Sequence, residues 1–298
     1  MVRKIKKKEK PIRNRQRFTI ADVVIYTVLG LVTLTMIIPF LNIIAISLSD
    51  YASAVKDKSM LLPKNLNFSA YGILFNVEVY RAIAVTAFVV VTNTVLHILL
   101  CMMAAYPLSK KELPGRQLML LYVLFAILFN GGTIPFYILI NKTLGLSDSL
   151  LVYILPGVVN AYTVILMKNF IKQIPDSLEE AAFIDGASYV GIFFKVIMPL
   201  SKPIIATMAL FNGVGVWNNW FSAVLFIKNK KLFLIQNVLR EMLIENNMGS
   251  LGHANLDKSY DVSVKMAAII IAIIPVVIIY PMIQKYFIKG MFVGSVKG

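Results

Sequence analysis

The sequence predicts an all-α membrane protein with six transmembrane helices. Three observations carry that expectation. Its 298 residues are 58% hydrophobic and only 15% charged, against roughly 25% charge and 45–50% apolar residues in a soluble domain. Apolar, nearly uncharged runs recur at about the 18 residues or more that a helix needs to cross hydrocarbon. Basic residues collect in a leader and in short turns, the bias that marks cytoplasmic segments. In a soluble chain the net charge of +15 would suggest nucleic acid; here topology accounts for it, and no nucleic-acid partner is expected.

Residues 1–17 form a basic leader, with nine Lys or Arg and one Glu between Arg3 and Arg17. The apolar run after it exceeds the roughly 7–15 residues of a signal peptide's core and lacks a convincing cleavage site. A retained first span over 23–46, containing Pro39, is therefore expected, with the leader cytoplasmic and able to touch anionic lipid. The transmembrane domain takes up 18–298. Ser49 to Arg81 falls outside, part of it as an amphipathic surface helix. Span two is 82–106, and the turn from Pro107 to Arg116 is basic and inside.

Span three, 118–140, is interrupted by Asn130-Gly131-Gly132. Such a break at membrane depth needs protein or water around its free backbone groups. The run Ile134–Ile140 either finishes this span or lies at its outer edge. Span four is 150–167 and span five 203–227, with Pro203 in the first turn where its missing N–H does no harm. Residues 228–261 lie outside and include a surface helix from Phe233 to Met242. Span six, 264–286, contains Pro275 and Pro281, and both termini are cytoplasmic.

Between spans four and five lies a polar, helix-forming island, 168–202. Ser177-Leu178-Glu179-Glu180 reads as a capping box, the Ser177 hydroxyl accepting from the Glu180 amide. Gly186 stands where a left-handed helix end favours a residue without Cβ. A second short helix runs on to Pro199. A capped helix pair between two lipid-length runs must sit at a membrane face, where another protein can grip it.

Glu180-Ala181-Ala182, three residues, Gly186, nine residues, Val196, one residue, Met198-Pro199 resembles the EAA loop of permease subunits of binding-protein-dependent ABC importers. Val196 and Met198 depart from that family's Ile and Leu but keep apolar volume. Ala105 to Ser109 with Gly115-Arg116, Ile184 to Ala187 with Leu200 to Pro203, Trp217 to Phe221, and the ending from Gln284 to Gly298 are similar to the maltose-importer class. Within it they look most like the branch for oligosaccharides such as alginate or pectin fragments.

The resemblance implies the type I ABC importer permease fold and a location in the bacterial cytoplasmic membrane. It implies a second homologous permease, two ATPase subunits that bind ATP and Mg, and an extracytoplasmic binding protein that delivers a carbohydrate. Glu180, Ala181, Ala182, Asp185, Gly186 and Pro199 would then form the coupling helix region. This chain would bind no cofactor and have no catalytic residues. It carries no Gly-rich phosphate loop ending in Gly-Lys-Ser/Thr.

Polar groups in the spans are candidates for a sugar pathway: Asn130, Asn160, Asn212, Trp217, Asn218 and Asn219. Aromatic rings stack on pyranose faces and amides bond hydroxyls; the alternative for each is interhelical packing. His97 and Cys101, four apart in span two, read as core rather than as metal ligands. An ion-coupled secondary transporter would place ionisable residues deep in its spans, and none is clearly central here. A permease for a non-sugar solute remains the alternative within the family.

Overall fold

The computed structural model describes residues 19–75, 77–244 and 261–293; the basic leader and the residues after 293 lie outside that range. The described chain is helical, with one isolated bridge between Ser49 and Leu66. Among the described residues three helices are long and apolar enough to cross a membrane: α1 (Ile20–Ser47), α4 (Val77–Ser109) and α15 (Asp261–Val293), the last through its stretch Val262–Pro281. Short helices α2 (Tyr51–Lys56) and α3 (Ser69–Leu74) occupy the loop between α1 and α4. In that loop the Lys64 ammonium donates to Asp57 at 2.8 Å. That bond, then the Ser59 amide, holds the Asp57 carboxyl below its ordinary range.

The other expected spans are broken. α5 (Arg116–Leu128) and α6 (Thr133–Ile138), the latter continued by a π-helical turn to Thr143, meet at 104°. The corner is Asn130-Gly131-Gly132: Gly132 has φ +85°, and the Asn130 side chain accepts from its amide at 2.9 Å. Ile134–Ile140 therefore does not complete a straight span. The segment expected at 150–167 is divided into α7 (Leu151–Ile154) and α8 (Ala161–Ile171), the second running past the expected boundary. The segment expected at 203–227 starts with α12 (Lys202–Trp217), stops at Asn218, and resumes as α13 (Phe221–Phe226).

Broken helices leave backbone groups without intrahelical partners, and in apolar surroundings each must be satisfied. α4 supplies several of the partners. Its residues Thr86, Asn93 and His97 are buried and share one face, at spacings of seven and four. The Asn93 amide donates to the carbonyls of Tyr153 and Ile154 at 3.2 and 2.9 Å. His97 Nδ1 lies 2.9 Å from the Val158 carbonyl. The Thr86 hydroxyl accepts from the Ile235 amide at 2.8 Å and donates to Ala82 at 2.7 Å. α4 thus packs against α8, α12 and α14 (Ile235–Ile244).

α14 is the helix expected between Phe233 and Met242, but it is no surface ornament. Ile235, Val238, Leu239 and Met242 are buried in one cluster with residues of α4 and α15. By contrast α5 buries none of its residues and α1 only its last three, Ala45, Ile46 and Ser47. These two helices present long apolar faces outward.

Thr86→Val keeps the shape of the side chain and removes the acceptor for the Ile235 amide. It is expected to lower stability by about 1–3 kcal/mol, the cost of a buried donor left unmet. Thermal unfolding of the detergent-solubilised protein is the measurement; an unchanged midpoint would refute the anchoring of α14.

Candidate functional site

The polar island folds into a wedge at one end of the bundle. α9 (Asp176–Ile184) and α10 (Tyr189–Ile192) form its two arms. α10 runs through a π-helical turn, Phe193–Ile197, into α11 (Met198–Leu200), and the chain bends 78° at Ser201 into α12. The expected capping box is absent. Pro175, with φ −59°, is itself the N-cap residue, and no side chain caps the helix. Ser177 consequently sits inside the first turn, where its hydroxyl cannot serve the end. Asp176 and Glu179 occupy that turn instead, where carboxylates suit the helix dipole.

The other end of α9 matches the expectation. Gly186 has φ +80°, its amide bonds Phe183 at 3.0 Å, and the Ala187 amide bonds Ala182 at 2.9 Å. These are the paired bonds of a Schellman ending. Ser188 then caps the next helix through the Gly191 amide at 3.2 Å, and the rings of Phe183 and Tyr189 meet edge-on at 4.8 Å. The turn is therefore held on both sides. The wedge leaves exposed Glu180, Ala181, Asp185 and Pro199, together with Ile184 at 86%, Tyr189 at 71% and Val190 at 66%.

Glu179, one residue before the motif, points the other way and is only 6% exposed. Its Oε2 accepts from the Tyr106 hydroxyl at 2.9 Å. Its Oε1 accepts from the Lys110 ammonium, which also lies 3.6 Å from Asp176 and over the Tyr106 ring. One carboxylate thus pins the wedge to the last turns of α4. A cleft of about 980 Å³ lies between them, lined by Lys110, Lys111, Asp176, Glu180, Phe183 and Tyr189 among others.

A second cleft, of about 560 Å³, lies within the bundle where α7–α8 and α12–α13 are broken. Asn93, His97, Asn160, Asn212, Asn218 and Asn219 line it with Tyr153, Tyr162, Phe211 and Trp220. The Asn212 amide donates to Asn93 at 2.8 Å and to Thr94 at 3.2 Å. Asn160 caps α8 through the Thr163 amide at 3.1 Å. Asn219 accepts from the Ser222 amide at 3.2 Å, and Asn218 accepts from Gln236 at 3.2 Å. Amides ordered by the fold, next to aromatic rings, are groups that can bond hydroxyls and stack on sugar rings.

Four of the six residues expected along a pathway thus converge: Asn160, Asn212, Asn218 and Asn219. The other two lie elsewhere. Trp217 ends α12 facing α15, its indole N–H donating to the Ala272 carbonyl at 3.0 Å, and Trp220 supplies the cleft's indole instead. Asn130 stays at the α5–α6 corner. Sequence reasoning missed Asn93 and the clamp role of Glu179, and it read His97 as core, where His97 is indeed buried while also bordering the cleft. The spacing Asn93, His97, Cys101 was the available signal; it places all three on one face of α4. Cys101 Sγ lies 3.8 Å from His97 Nδ1, and both face the Val158 carbonyl.

Residues 13–293 match the family described as binding-protein-dependent transport system inner membrane component. The chain is a member of that family. This inner membrane component is 40% identical over 283 residues to the polygalacturonan/rhamnogalacturonan transport system permease protein YtcP of Bacillus subtilis (strain 168), covering 93% of this chain and 98% of that one. It is 38% identical over 290 residues to protein LplC of the same organism, covering 96% and 98%. Among solved structures it resembles a chain of a bacterial ABC transporter involved in the import of the acidic polysaccharide alginate. The TM-score is 0.81 at 32% identity, covering 91% of this chain and 99% of that one. The component accordingly has the type I permease fold, is a multi-pass inner-membrane protein, and serves transport.

Replacing Glu179 by Gln, or Lys110 by Met, is expected to lower stability by about 1–3 kcal/mol. That is below the roughly 3–5 kcal/mol of a fully buried broken pair, because the Lys110 side chain keeps 28% exposure. The double variant should recover part of the loss. Thermal midpoints of the four proteins test this, and strictly additive losses would argue against coupling between the two groups.

Proposed function

We propose that this chain is one of two homologous permease subunits forming the translocation pathway of an ABC importer for an oligosaccharide of the polygalacturonan or alginate kind. An extracytoplasmic binding protein delivers the sugar. Two separate ATPase subunits bind ATP and Mg and dock on the wedge from the cytoplasm, where both termini also lie. This chain holds no cofactor and performs no hydrolysis. The near full-length likeness to a polygalacturonan/rhamnogalacturonan transport permease and to a chain of an alginate importer is the observation that carries the reading.

The wedge geometry suits the task. Force applied to Glu180, Ala181, Ile184 and Tyr189 reaches α4 through the Glu179 clamp and reaches α12 through the continuous run from Tyr189 to Leu200. α4 and α12 are in turn joined at the cleft by Asn93 and Asn212. A displacement at the membrane face is therefore delivered to the walls of the polar cleft, as alternating access by rocking helices requires. The outward apolar faces of α1 and α5 are left for lipid and for the second permease.

Purified alone, the chain should neither hydrolyse ATP nor transport. In the reconstituted complex, ATPase activity should rise only with binding protein loaded with a carried oligosaccharide; stimulation by a non-sugar solute instead would displace the reading. Nothing lies within 4 Å of a Cβ built on Gly186, so substitution there costs only the left-handed strain of about 1–2 kcal/mol. Gly186→Val should cut uptake severalfold while ATP hydrolysis persists, and Gly186→Asn, which tolerates positive φ, should stay close to the unaltered protein. Equal uptake by all three would remove the wedge from the coupling path.

A further inference from the structure

Asn218 and Trp220 line not only the polar cleft but also a neighbouring one of about 490 Å³, walled by Ala268, Ala272 and Val276 of α15. Arg240 of α14 borders this second cleft and lies over Trp220, its Cζ 3.6 Å from the ring centroid. Its Nη1 is buried and has no hydrogen-bond partner among the described residues. The adjacent carboxylate, Glu241, is engaged by Lys230 at 3.3 Å, and no acidic residue among the described residues lines the cleft. A buried guanidinium N–H without an acceptor is costly, more so in apolar surroundings. Stacking on an indole fixes the plane of the fork, and a planar fork matches a carboxylate bidentately. The same corner carries the Asn218 amide and the Trp220 ring, groups suited to hydroxyls and to a sugar face.

We propose that Arg240, oriented by Trp220, reads the carboxylate of a uronic-acid unit as the glycan passes Asn218, and so sets a preference for acidic over neutral oligosaccharide. This rests on the oligosaccharide reading above. An anionic lipid headgroup offers related chemistry, and the experiment separates the two.

The test uses the full complex, with its partner permease, ATPase subunits and binding protein, in proteoliposomes of zwitterionic lipid. Uptake of trigalacturonate and of its methyl ester is measured with the same binding protein throughout, so that protein's own preference cancels between variants. Arg240→Gln is expected to raise KM for the acid about tenfold, the order of one lost charge-assisted hydrogen bond. kcat should hold, and the ester should change less than about twofold. Arg240→Lys, which keeps the charge but not the fork, should fall between. Where only the acid is carried, the contrast between the Gln and Lys variants in KM at constant kcat decides in the same way.

Equal losses for acid and ester, or no loss for either, overturn the proposal. A complex that assembles with Arg240→Lys but with neither Arg240→Gln nor Arg240→Met gives the charge a structural role and also overturns it. So does a defect that appears only when anionic lipid is added. Uptake of neutral oligosaccharides alone, insensitive to Arg240, sinks this inference and leaves the oligosaccharide reading standing. Failure of the unaltered complex to take up any glycan sinks both.

Discussion

The break between α7 and α8 is made tolerable by the polar face of α4. A helix that stops inside an apolar bundle exposes carbonyls and amides, and each unmet group costs free energy that lipid cannot return. Thr86, Asn93 and His97 meet those groups for the α14 start, the end of α7 and the turn before α8. The interruptions are what give the molecule a polar cleft at all, because six continuous apolar helices would pack without one. Structural need and binding chemistry therefore fall on the same side chains. Asn93 is the clearest case: its amide nitrogen serves the backbone of α7 while its oxygen accepts from Asn212 beside the cleft.

The wedge follows a different logic. Capping groups and side-chain pairs give it shape, beside the buried Ile192, Phe193 and Ile197. A Schellman ending, a Ser188 cap and one edge-on aromatic contact set the angle between its arms. A single buried carboxylate then ties it to α4. Ion pairs of this kind contribute little net stability when both partners are compared with apolar replacements. Their value is geometric, since a charge held by two donors permits few alternative positions. Two neighbouring glutamates thus take different parts: Glu179 is buried in its clamp with Tyr106 and Lys110, and Glu180 is exposed at the cleft beside it.

Much of this was legible in the sequence because local chemistry decides it. Gly186 had to turn left-handed at the end of an apolar-to-polar helix, and it does. Asn130-Gly131-Gly132 had to interrupt a span. The EAA spacing identified the wedge and, with it, the family. The errors are equally local in origin. Pro175 took the N-cap place expected of Ser177, since its constrained φ starts the helix two residues sooner than the capping pattern indicates. Trp217 was grouped with its polar neighbours by adjacency. The helix carries it onto α15, where an indole N–H finds a carbonyl.

Composition, hydropathy and charge by themselves determined that the chain is helical and membrane-embedded, because those properties depend on the length and sign of each run and on nothing distant. Spacing within one loop likewise sufficed for the wedge. What only the tertiary structure decided is which polar side chains meet: Asn93 with Asn212 across 119 positions, Glu179 with Tyr106 across 73. Such partnerships depend on where breaks redirect the helices, and a break of 78° or 104° moves every later residue in a way no local pattern records.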